Sequence, residues 1–587
     1  MDEEYQRIEK IVGNQHKYQF ITLFLCSIIW LSTSYISISV PFFEKKPNVK
    51  YYNSTSREYH EKARLTYEIC DNYNYTIISS YDYSYTERYD INCKEFKVGL
   101  VGGTISFAML IGAILQAVLV DFIGRRKTLI ISLVFYSLFT FGLLFIPIQH
   151  DLYYTLYIAC FCIMTFGSCS YICAFLYICE MNTFANRPIC SGFINASGSL
   201  CGIIHIMLYR FFNNLNLNIS VTLILSILSA ILVIFVFYET PKFYFVQGKF
   251  KEFLMAFRNI ASFNNRFLSY DYYLNENIDR LEKIFFYEEI NNDYLKLEST
   301  GESLVMNIRS LDSFYCNQEN HDVRNSLFSF HPLKSEEEVR KKVESIYASK
   351  EEESSTDDDI FEQKYQRINT KKKYIYSLCD VMKLRSQRYT FLMLSLIWFS
   401  TSAIYYSIGN VFIYFKGSIE VNGLIFYSVE FLFYCLSGYI VNFKNVGRIK
   451  LLIAFRVLAF ILFLINFIFD FKGYAINTIF FLYKIFASGS NVILFIYSYE
   501  VYPMVLRSKG FTLNIVIGKL GALVANILIE ILFDKAMIGL EVLSGLSLLV
   551  IMHLPETVIQ KENDIHPPEK LLVNEENTVN EVNIDLK

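Results

Sequence analysis

The stretch Val120–Leu129 reads VDFIGRRKTL and separates two long apolar segments of the chain. It places one acid, one glycine and three consecutive cations between Leu119 and Leu129, where the hydrophobic sequence would otherwise be continuous. Three cations beside a hydrophobic segment favour the cytoplasmic side of a membrane, and Gly124 allows two helix ends to approach closely. The stretch therefore predicts a tight cytoplasmic turn between two membrane-spanning helices. The alternative is a loop whose charges only set the topology.

The composition is that of a membrane protein. The 587 residues are 53% hydrophobic and 17% aromatic, and the mean hydropathy is +0.30, which argues against a soluble multidomain protein. The net charge of −3 gives no indication of a nucleic-acid partner. Most of the 13 cysteines lie in apolar runs, where they behave as small hydrophobic residues rather than metal ligands. The sequence has no phosphate-binding glycine loop, zinc signature or nucleophile elbow, so it predicts neither an enzyme nor a cofactor.

Apolar runs of about one bilayer thickness predict about twelve membrane spans. The first six are Phe20–Pro41, Val98–Val120, Leu129–Pro147, Leu152–Ile178, Ser191–Phe212 and Val221–Tyr238, and the second six are Phe391–Phe415, Gly423–Val441, Leu451–Phe469, Ala475–Tyr497, Phe511–Phe533 and Met537–Leu554. Lys and Arg concentrate in alternate loops, which places both termini in the cytoplasm. The sequence therefore predicts an all-α membrane protein, with residues 20–238 and 389–554 as two six-helix bundles in the lipid bilayer.

The hydrophilic segments complete the domain organisation. Residues 1–19 are predicted as a cytoplasmic N-terminus without the features of a cleaved signal, and residues 42–97 as an extracellular loop. Residues 239–388 are predicted as a cytoplasmic central loop, partly disordered because its segment 335–359 is dense in charge. Residues 555–587 are predicted as a cytoplasmic tail. The central loop is either an inert insertion, which its lack of a motif favours, or a regulatory segment.

The predicted outer loop carries two features that depend on an extracellular location. Cys70 and Cys93 fall together in a polar loop, and outside the cell they could form one disulfide. Asn53 and Asn74 begin the glycosylation acceptors Asn53-Ser-Thr and Asn74-Tyr-Thr. Such acceptors also arise by chance in a chain rich in asparagine.

The two sets of spans resemble copies of one another. The two tryptophans occur in matching words, SIIWLSTS around Trp30 and SLIWFSTS around Trp398, at an offset of 368 residues. Phe175–Leu200 matches Phe495–Leu520 at an offset of 320 residues. The second match pairs Tyr177 with Tyr497, Glu180 with Glu500, Arg187 with Arg507 and Gly198 with Gly518. Two halves related by a pseudo-twofold axis hold substrate between them and work by alternating access.

Charged residues at the predicted cytoplasmic turns are expected to form a gate. Because glutamate and arginine recur at the same spacing in both halves, acid and base can pair across the halves when the inner side is shut. The expected gate consists of Asp121, Arg125, Arg126, Glu180, Arg187, Glu239, Arg448, Glu500 and Arg507. Arg448 lies in Val446-Gly447-Arg448, a degraded copy of the opening stretch. The alternative is again that these charges only set the topology.

The opening stretch resembles the signature loop between helices 2 and 3 of the major facilitator superfamily. The matching residues are Leu119, Asp121, Gly124, Arg125 and Arg126, with Ala117 in place of the first glycine. Words along nearly all of the membrane portion resemble the organic cation and anion transporter family, solute carrier family 22. They are Gly13 with Tyr18-Gln19, Glu239-Thr-Pro-Lys242, Gln247-Gly248-Lys249, Trp398-Phe399 with Tyr405-Tyr406, Glu500-Val-Tyr-Pro503 with Arg507, and Leu554-Pro-Glu-Thr557. This resemblance implies the major facilitator fold and transport of small organic ions, expected of a monomer in the plasma membrane.

The same resemblance implies a set of cavity residues. Lys519 lies where relatives that carry anions or zwitterions usually have arginine and cation transporters have aspartate, so an anion or zwitterion is slightly favoured. Its alternative role is a salt bridge with Glu430. The implied cavity residues are Lys519, Trp30, Trp398, Tyr405, Tyr406, Glu430 and Lys484. Tyr434 replaces a lysine common in anion transporters, and Ile163 replaces a span-four arginine linked to proton coupling.

Two alternative functions follow from the same residues. Sugar porters share several of the quoted words, so a hexose porter is the second resemblance. A receptor or sensor that does not transport is the alternative from another class, because a fold alone does not determine a function.

Overall fold

The computed structural model describes residues 2–13, 16–53, 58–62, 65, 67–79, 81, 84–147, 151–278, 280–281, 380–383, 385–411, 415–442, 447–469, 471, 473–503 and 506–557. The expectations for the charge-dense segment 335–359 and for tail residues 558–587 lie outside these residues. The chain divides into a large unit, Gln19–Thr240 with Ser386–Lys587, and a small unit, Met1–Tyr18 with Pro241–Arg385.

Helices dominate the described residues. In chain order they are α1 (Asp2–Gly13), α2 (Lys17–Thr33), α3 (Tyr35–Phe43), α4 (Tyr67–Asn72), α5 (Tyr85–Arg88), α6 (Glu95–Ile123), α7 (Arg125–Leu143), α8 (Asp151–Ser168), α9 (Ser170–Met181), α10 (Arg187–Phe212), α11 (Leu215–Val236), α12 (Pro241–Val246), α13 (Phe250–Phe263), α14 (Asp380–Lys383), α15 (Arg385–Val411), α16 (Ile419–Ile440), α17 (Arg448–Phe469), α18 (Tyr474–Glu500) and α19 (Arg507–Ile551). Residues 267–278 are also helical.

Eleven helical stretches of the described chain are long and apolar enough to cross a membrane. Many of their large apolar side chains are exposed, such as Phe24, Phe122, Phe235 and Ile468, as a lipid-facing surface requires. The region expected to hold the twelfth span contains a shorter apolar helix, Ile538–Ile551. Ten of the twelve expected spans therefore correspond to separate apolar helical stretches, and the last two fall within α19.

The first and fourth spans are each interrupted once. The first consists of α2 and α3, separated at Ser34, whose hydroxyl donates to the carbonyl of Trp30 at 2.7 Å. The fourth consists of α8 and α9, separated at Cys169. The backbone amide of Ser34 still donates to the carbonyl of Trp30 at 3.0 Å, so the backbone hydrogen bonds continue across this interruption of the apolar run.

Helix α19 is 45 residues long and contains the last two expected spans. A straight helix of that length would extend about 68 Å. Both of its ends nevertheless lie near the end of α18, because Arg507 Nε donates to the carbonyl of Tyr502 at 3.1 Å and Thr557 Oγ1 donates to Glu500 at 3.3 Å. The chain of α19 therefore turns back on itself between those ends.

The two halves meet along helices α10 and α16, where glycines permit close backbone contact. A Cβ atom on Gly192 would lie 2.7 Å from the carbonyl oxygen of Tyr434, and one on Gly438 would lie 2.8 Å from that of Pro188. Small residues at such crossings allow helices in a membrane to pack closely. Helices α6 and α19 form a second contact between the halves, with Asn526 Nδ2 donating to Ser106 Oγ at 3.0 Å.

Residues 42–97 contain a small antiparallel sheet rather than only a loop. Strands β1 (Asn48–Asn53), β2 (Glu58–Lys62) and β3 (Tyr75–Ser79) lie in the order β2-β1-β3. Cys70 and Cys93 are bonded in a disulfide beside the apolar residues Val49 and Ile69. The side chain of Asn74 is exposed, and that of Asn53 lies outside the described residues. We call this end of the large unit the sheet end, and the opposite end, where α6 meets α7, the basic end.

In the small unit, helix α1 packs on the first part of the expected central loop. The carboxylate of Glu4 accepts hydrogen bonds from Tyr273 OH and Arg280 Nη2, both at 2.8 Å. The ring of Tyr5 lies 5.3 Å from that of Phe257. The sequence treated these segments as separate, but the structure groups residues 1–18 with the chain that follows Thr240.

Candidate functional site

A cavity of about 110 Å³ lies between the two halves of the large unit. Its lining includes every residue that the sequence predicted to contact substrate, namely Trp30, Trp398, Tyr405, Tyr406, Glu430, Lys484 and Lys519. The first comes from α2 and the others from α15, α16, α18 and α19. Neutral polar side chains of Asn195, Ser199 and Asn491 complete much of the wall.

Lys519 lies in an aromatic environment on the cavity wall. Its side-chain nitrogen donates to Tyr406 OH and lies 4.4 Å from the centre of that ring and 5.1 Å from the centre of the Tyr171 ring. The residue is 5% exposed. Among the described residues, no carboxylate forms an ion pair with it. Aromatic rings, tyrosine hydroxyls and the sulfur of Met109 at 4.0 Å therefore surround the ammonium, and none of these groups carries an opposite full charge.

Glu430 is instead paired with Lys484. The two side chains are 3.0 Å apart, and the same carboxylate oxygen accepts hydrogen bonds from Tyr405 OH at 2.8 Å and Ser488 Oγ at 2.9 Å. The Lys484 nitrogen also lies 3.6 Å from the centre of the Tyr405 ring. This pairing differs from the alternative in which Glu430 bonds Lys519. A buried pair with several hydrogen bonds keeps both charges satisfied.

The charged lining residues leave the cavity with an excess of positive charge. Two lysines and one glutamate give a net charge of +1. In a low-dielectric site, one uncompensated cation attracts a negatively charged group much more strongly than it would in water. The cavity is therefore chemically suited to a small molecule that carries an anionic group and polar or aromatic surface.

Aromatic rings separate the cavity from the basic end. The rings of Phe175 and Phe495, which are counterparts in the internal repeat, lie 5.0 Å apart. Trp30 and Trp398 flank Phe495 at centroid distances of 6.0 and 4.9 Å. The two halves therefore contact each other near the pseudo-twofold axis through equivalent side chains.

The paired glycines of the repeat provide space for the two tryptophans. A Cβ atom on Gly198 would lie 2.8 Å from Trp30 Nε1, and one on Gly518 would lie 3.0 Å from Trp398 Cε3. Any larger residue at either position would meet the indole. The sequence identified these glycines as a matching pair, and the structure supplies the reason for their size.

At the basic end of the first half, Arg125 forms a buried network. Its guanidinium donates to Glu180 Oε1 through Nη2 at 2.8 Å and lies 3.6 Å from Asp121. Glu239 accepts from the backbone amides of Arg125 at 2.8 Å and Arg126 at 3.1 Å, the first residues of α7. Burial raises the pKa of Glu239, although Arg125 and these amides act in the opposite direction. Carboxylates at helix N-termini are favoured by the unpaired amides and the helix dipole.

The second half repeats this network with one residue that the sequence analysis did not assign to the gate. Arg448 Nε lies 3.5 Å from Glu500, and Glu556 accepts from the backbone amides of Arg448 at 2.8 Å and Ile449 at 2.9 Å. Glu556 thus occupies the place of Glu239. The sequence contains a signal that could have identified Glu556. A Glu-Thr pair follows the last span of each half, at Glu239 and at Glu556.

Tyrosine and threonine contacts extend the correspondence. Tyr177 OH donates to the carbonyl of Tyr238 at 2.9 Å, and Tyr497 OH donates to that of Pro555 at 2.8 Å. Thr240 donates to Glu180 at 2.6 Å, as Thr557 does to Glu500. Each half therefore holds the residues after its last helix against its fourth helix in the same way.

The remaining gate residues form contacts that the sequence did not predict. Glu180 pairs with Arg125, and Glu500 pairs with Arg448, each within its own half. Arg187 and Arg507 both lie over one ring, that of Tyr499, at 5.2 and 5.4 Å. Their guanidinium groups also donate to carbonyls at the adjacent helix ends. Because a planar guanidinium stacks well on an aromatic face, two arginines can share this ring.

Besides Arg187 over the ring of Tyr499, further contacts among the described residues join the halves at the basic end. Ser508 Oγ donates to Asp121, and Asn442 Nδ2 donates to the carbonyl of Ala185 at 2.7 Å. Arg448 lies 5.2 Å from the ring of Phe184. Arg126 contacts its own half instead, because its guanidinium donates to the carbonyl of Ile234 at an exposed position. Hydrogen bonds and ring contacts therefore join the halves at the basic end.

The sheet end is also closed, by a pair that the sequence analysis did not identify. Lys45 Nζ lies 2.8 Å from Glu420 Oε1 and 3.5 Å from the centre of the Tyr81 ring. Lys45 follows the first span, and Glu420 lies in the first turn of α16. This pair joins the two halves opposite the basic end. Contacts between the halves therefore lie at both ends of the large unit.

Comparison with known proteins agrees with this architecture. The family model of the Major Facilitator Superfamily matches residues 73–526, more than half of the chain. No curated protein sequence matches this chain significantly. Among solved structures, the proton:xylose symporter XylE, from E. coli, matches with a TM-score of 0.59 and 12% identity over 92% of this chain and 96% of that one. The human organic anion transporter MFSD10 (TETRAN) matches with a TM-score of 0.51 and 10% identity over 92% and 100%.

The family match and the fold lead to the same conclusion. The matched region runs from the sheet segment before α6 to the middle of α19 and includes the cavity residues from Met109 to Lys519, but not those of the first span such as Trp30. The solved structures share the arrangement of helices, while their identities of 10–12% carry no information on substrate. The chain is therefore a multi-pass membrane transporter, not an enzyme, and belongs to the Major Facilitator Superfamily.

Proposed function

We propose that the protein transports small organic ions by alternating access and that it prefers anions or zwitterions to cations. The observation that supports this preference is Lys519, which faces the cavity with aromatic neighbours while Lys484 is neutralised by Glu430. A carboxylate or sulfate would supply the opposite charge that Lys519 lacks. The aromatic wall would bury the organic part of the substrate.

The proposed topology follows from the charges. The basic end faces the cytoplasm, as Arg125 and Arg126 favour, and the sheet end with its disulfide faces outward. Transport then alternates between opening at the pair of Lys45 and Glu420 and opening at the contacts of the basic end. Each transition exchanges one set of contacts between the halves for the other.

A sugar is the second candidate substrate. Neutral side chains in the lining, including Asn195, Ser199 and Asn491, offer hydrogen bonds that would suit sugar hydroxyls. Lys519 would then be a structural cation rather than a substrate contact. The two candidates therefore make opposite predictions for substitutions at this residue.

Uptake into proteoliposomes tests the proposal. The panel comprises an organic cation, a dicarboxylate, a urate-like anion, carnitine and glucose, measured for wild type, Lys519→Gln and Lys519→Asp. We expect the wild type to take up an anion or zwitterion, with uptake at least tenfold lower in Lys519→Gln and selectivity shifted towards the cation in Lys519→Asp. Lys450→Gln, which removes an exposed lysine of α17, is the matched control and should keep the wild-type selectivity.

The alternatives have distinct outcomes. Glucose uptake that is indifferent to both substitutions would favour the sugar porter and remove Lys519 from the substrate site. Uptake of the cation by the wild type, unaffected by Lys519→Asp, would contradict the proposed charge preference.

A further inference from the structure

The counterpart of Lys519 in the first half is a serine. The repeat offset of 320 residues pairs Lys519 with Ser199, and both residues line the cavity. The same offset pairs Tyr171, whose ring lies 5.1 Å from the Lys519 nitrogen, with Asn491, another lining residue. An ammonium beside an aromatic ring in one position of the repeat thus corresponds to a hydroxyl and an amide in the other.

The hydroxyl of Ser199 is buried without a hydrogen-bond partner in the described part of the chain, and the residue is 3% exposed. Its polar neighbours on α10 bond to their own helix instead. Ser197 Oγ donates to the carbonyl of Ile194 at 2.6 Å, and Asn195 Nδ2 donates to that of Ser191 at 2.8 Å. Because an unpaired buried hydroxyl costs free energy, a polar group of a bound substrate would stabilise this wall.

The wall around Ser199 carries no excess charge. Ser199 lies on α10 between Gly192 and Gly202, and a Cβ atom on either glycine would lie 2.7 Å from α16. On the facing stretch of α16, the charged lining residue is Glu430, which Lys484 neutralises at 3.0 Å. A substrate group at this wall therefore meets hydrogen-bonding side chains, while the uncompensated cation belongs to the other half.

We propose that Ser199 selects substrates that carry one anionic group and, at the other end, a neutral hydrogen-bonding group such as an amide. This inference rests on the proposed function, because Lys519 binds the anionic group. The amide supplies the partner that the Ser199 hydroxyl lacks. A second carboxylate would instead face the neutral wall without a compensating cation, which is unfavourable in a low-dielectric site. The substrate class is therefore a monoanion with a neutral polar end rather than a dicarboxylate.

Three carboxylates that share a benzene ring test the proposal on the purified full-length protein in lipid. Benzoate has one anionic group, terephthalate monoamide adds an amide at the opposite end, and terephthalate has a second carboxylate there. Trp30 and Trp398 are the two tryptophans of the chain and both line the cavity, so their fluorescence reports binding. We expect the wild type to bind the monoamide about threefold more tightly, or better, than either other compound. Equal or weaker binding of the monoamide, or none, would overturn the proposal.

Ser199→Ala removes the hydroxyl and should weaken binding of the monoamide by about three- to tenfold, while it changes binding of benzoate by less than about twofold. Ser197→Ala is the matched control, because it removes a buried serine hydroxyl of the same helix that is not part of the cavity lining. Both affinities should stay at their wild-type values in this control. Equal losses for benzoate and the monoamide in Ser199→Ala would show a general disturbance and overturn the role of Ser199.

The charge balance provides an independent variant. Glu430→Gln leaves Lys484 without its ion-pair partner, so the charged lining residues become two lysines and no acid. We expect terephthalate then to bind more tightly than its monoamide, which reverses the wild-type order. An unchanged order would overturn the conclusion that the neutral wall excludes a second anionic group.

Lys519→Gln separates this proposal from the function on which it rests. Each of the three compounds presents a carboxylate to Lys519, so their binding should weaken by about tenfold or more. Unchanged binding of all three would overturn the proposed charge preference. Weaker binding in Lys519→Gln, together with no selective loss of the monoamide in Ser199→Ala, would overturn only the role of Ser199.

Discussion

At the scale of single residues, the contacts between glycine and tryptophan limit side-chain size at one position in each half. The methyl group of Gly198→Ala would lie 2.8 Å from Trp30 Nε1, so the indole or its helix must shift. We expect this variant to lose about 1–3 kcal/mol of stability and to transport more slowly, because Trp30 lines the cavity. Thermal unfolding and initial uptake rates measure the two effects.

Gly142→Ala is the matched control for that substitution. Gly142 is also in a helix, but an added methyl group would meet nothing within 4 Å. Alanine there should be neutral or stabilising by about 0.5–1 kcal/mol, since glycine is the weaker helix former. Equal losses in Gly142→Ala and Gly198→Ala would contradict the packing explanation.

At the scale of elements, Glu239 and Glu556 hold the starts of α7 and α17. Each carboxylate accepts from two consecutive backbone amides, which would otherwise be unpaired. We expect Glu556→Gln to lower stability by about 0.5–2 kcal/mol, the range measured for helix N-caps. A thermal melt measures the loss. Glu276→Gln, at an exposed position of the small unit, should leave the melt unchanged.

The close approach at Gly447 provides an independent check on Glu556. A Cβ atom there would lie 2.2 Å from the Glu556 carboxylate. Gly447→Ala should therefore destabilise the wild-type protein but add little in a Glu556→Ala background, where the side chain that the new methyl group would meet is absent. Strictly additive effects would contradict a shared site.

Much of this architecture is predictable from the sequence, and the residues show why. Runs of apolar residues locate the spans, and the repeated words around Trp30 and Trp398 identify the two halves, because both signals are local. The pairing partners are not local. Arg125 pairs with Glu180, and Lys45 pairs with Glu420, although the two members of each pair are far apart in the sequence and no rule of residue spacing relates them. The sequence therefore identified the charged residues of the basic end, except Glu556, but not their partners.

The seven cavity residues were found for a different reason. They came from family resemblance rather than from spacing, and they line one cavity in the structure. Their roles as substrate contacts stay predictions. The outer sheet was missed because its strands are short and polar, without the alternation that marks a half-buried strand.

At the scale of the whole molecule, the pair of Lys45 and Glu420 helps to determine which side opens. Lys45→Glu would place two like charges against each other and favour the form that is open at the sheet end. We expect impermeant maleimide to label Ser37→Cys, a cavity position, several-fold faster from outside in that background. The parent protein without Ser37→Cys provides the background from native cysteines.

Exchanging the two charges distinguishes the loss of this ion pair from a general disturbance of the structure. The double variant Lys45→Glu with Glu420→Lys restores opposite charges, so labelling should return towards the wild-type rate. Labelling that stays fast in the double variant would show that the sheet end is held by contacts other than this pair.

The contact between Phe175 and Phe495 also bears on how the chain arose. Because these are corresponding positions of the two halves, a progenitor of half the length would have had one phenylalanine there. Two copies of that progenitor would have met through the same residue in each, as partners in a twofold dimer do. Gene duplication would then have joined two polypeptides that already recognised one another, and the ring contact of 5.0 Å would have been part of their interface.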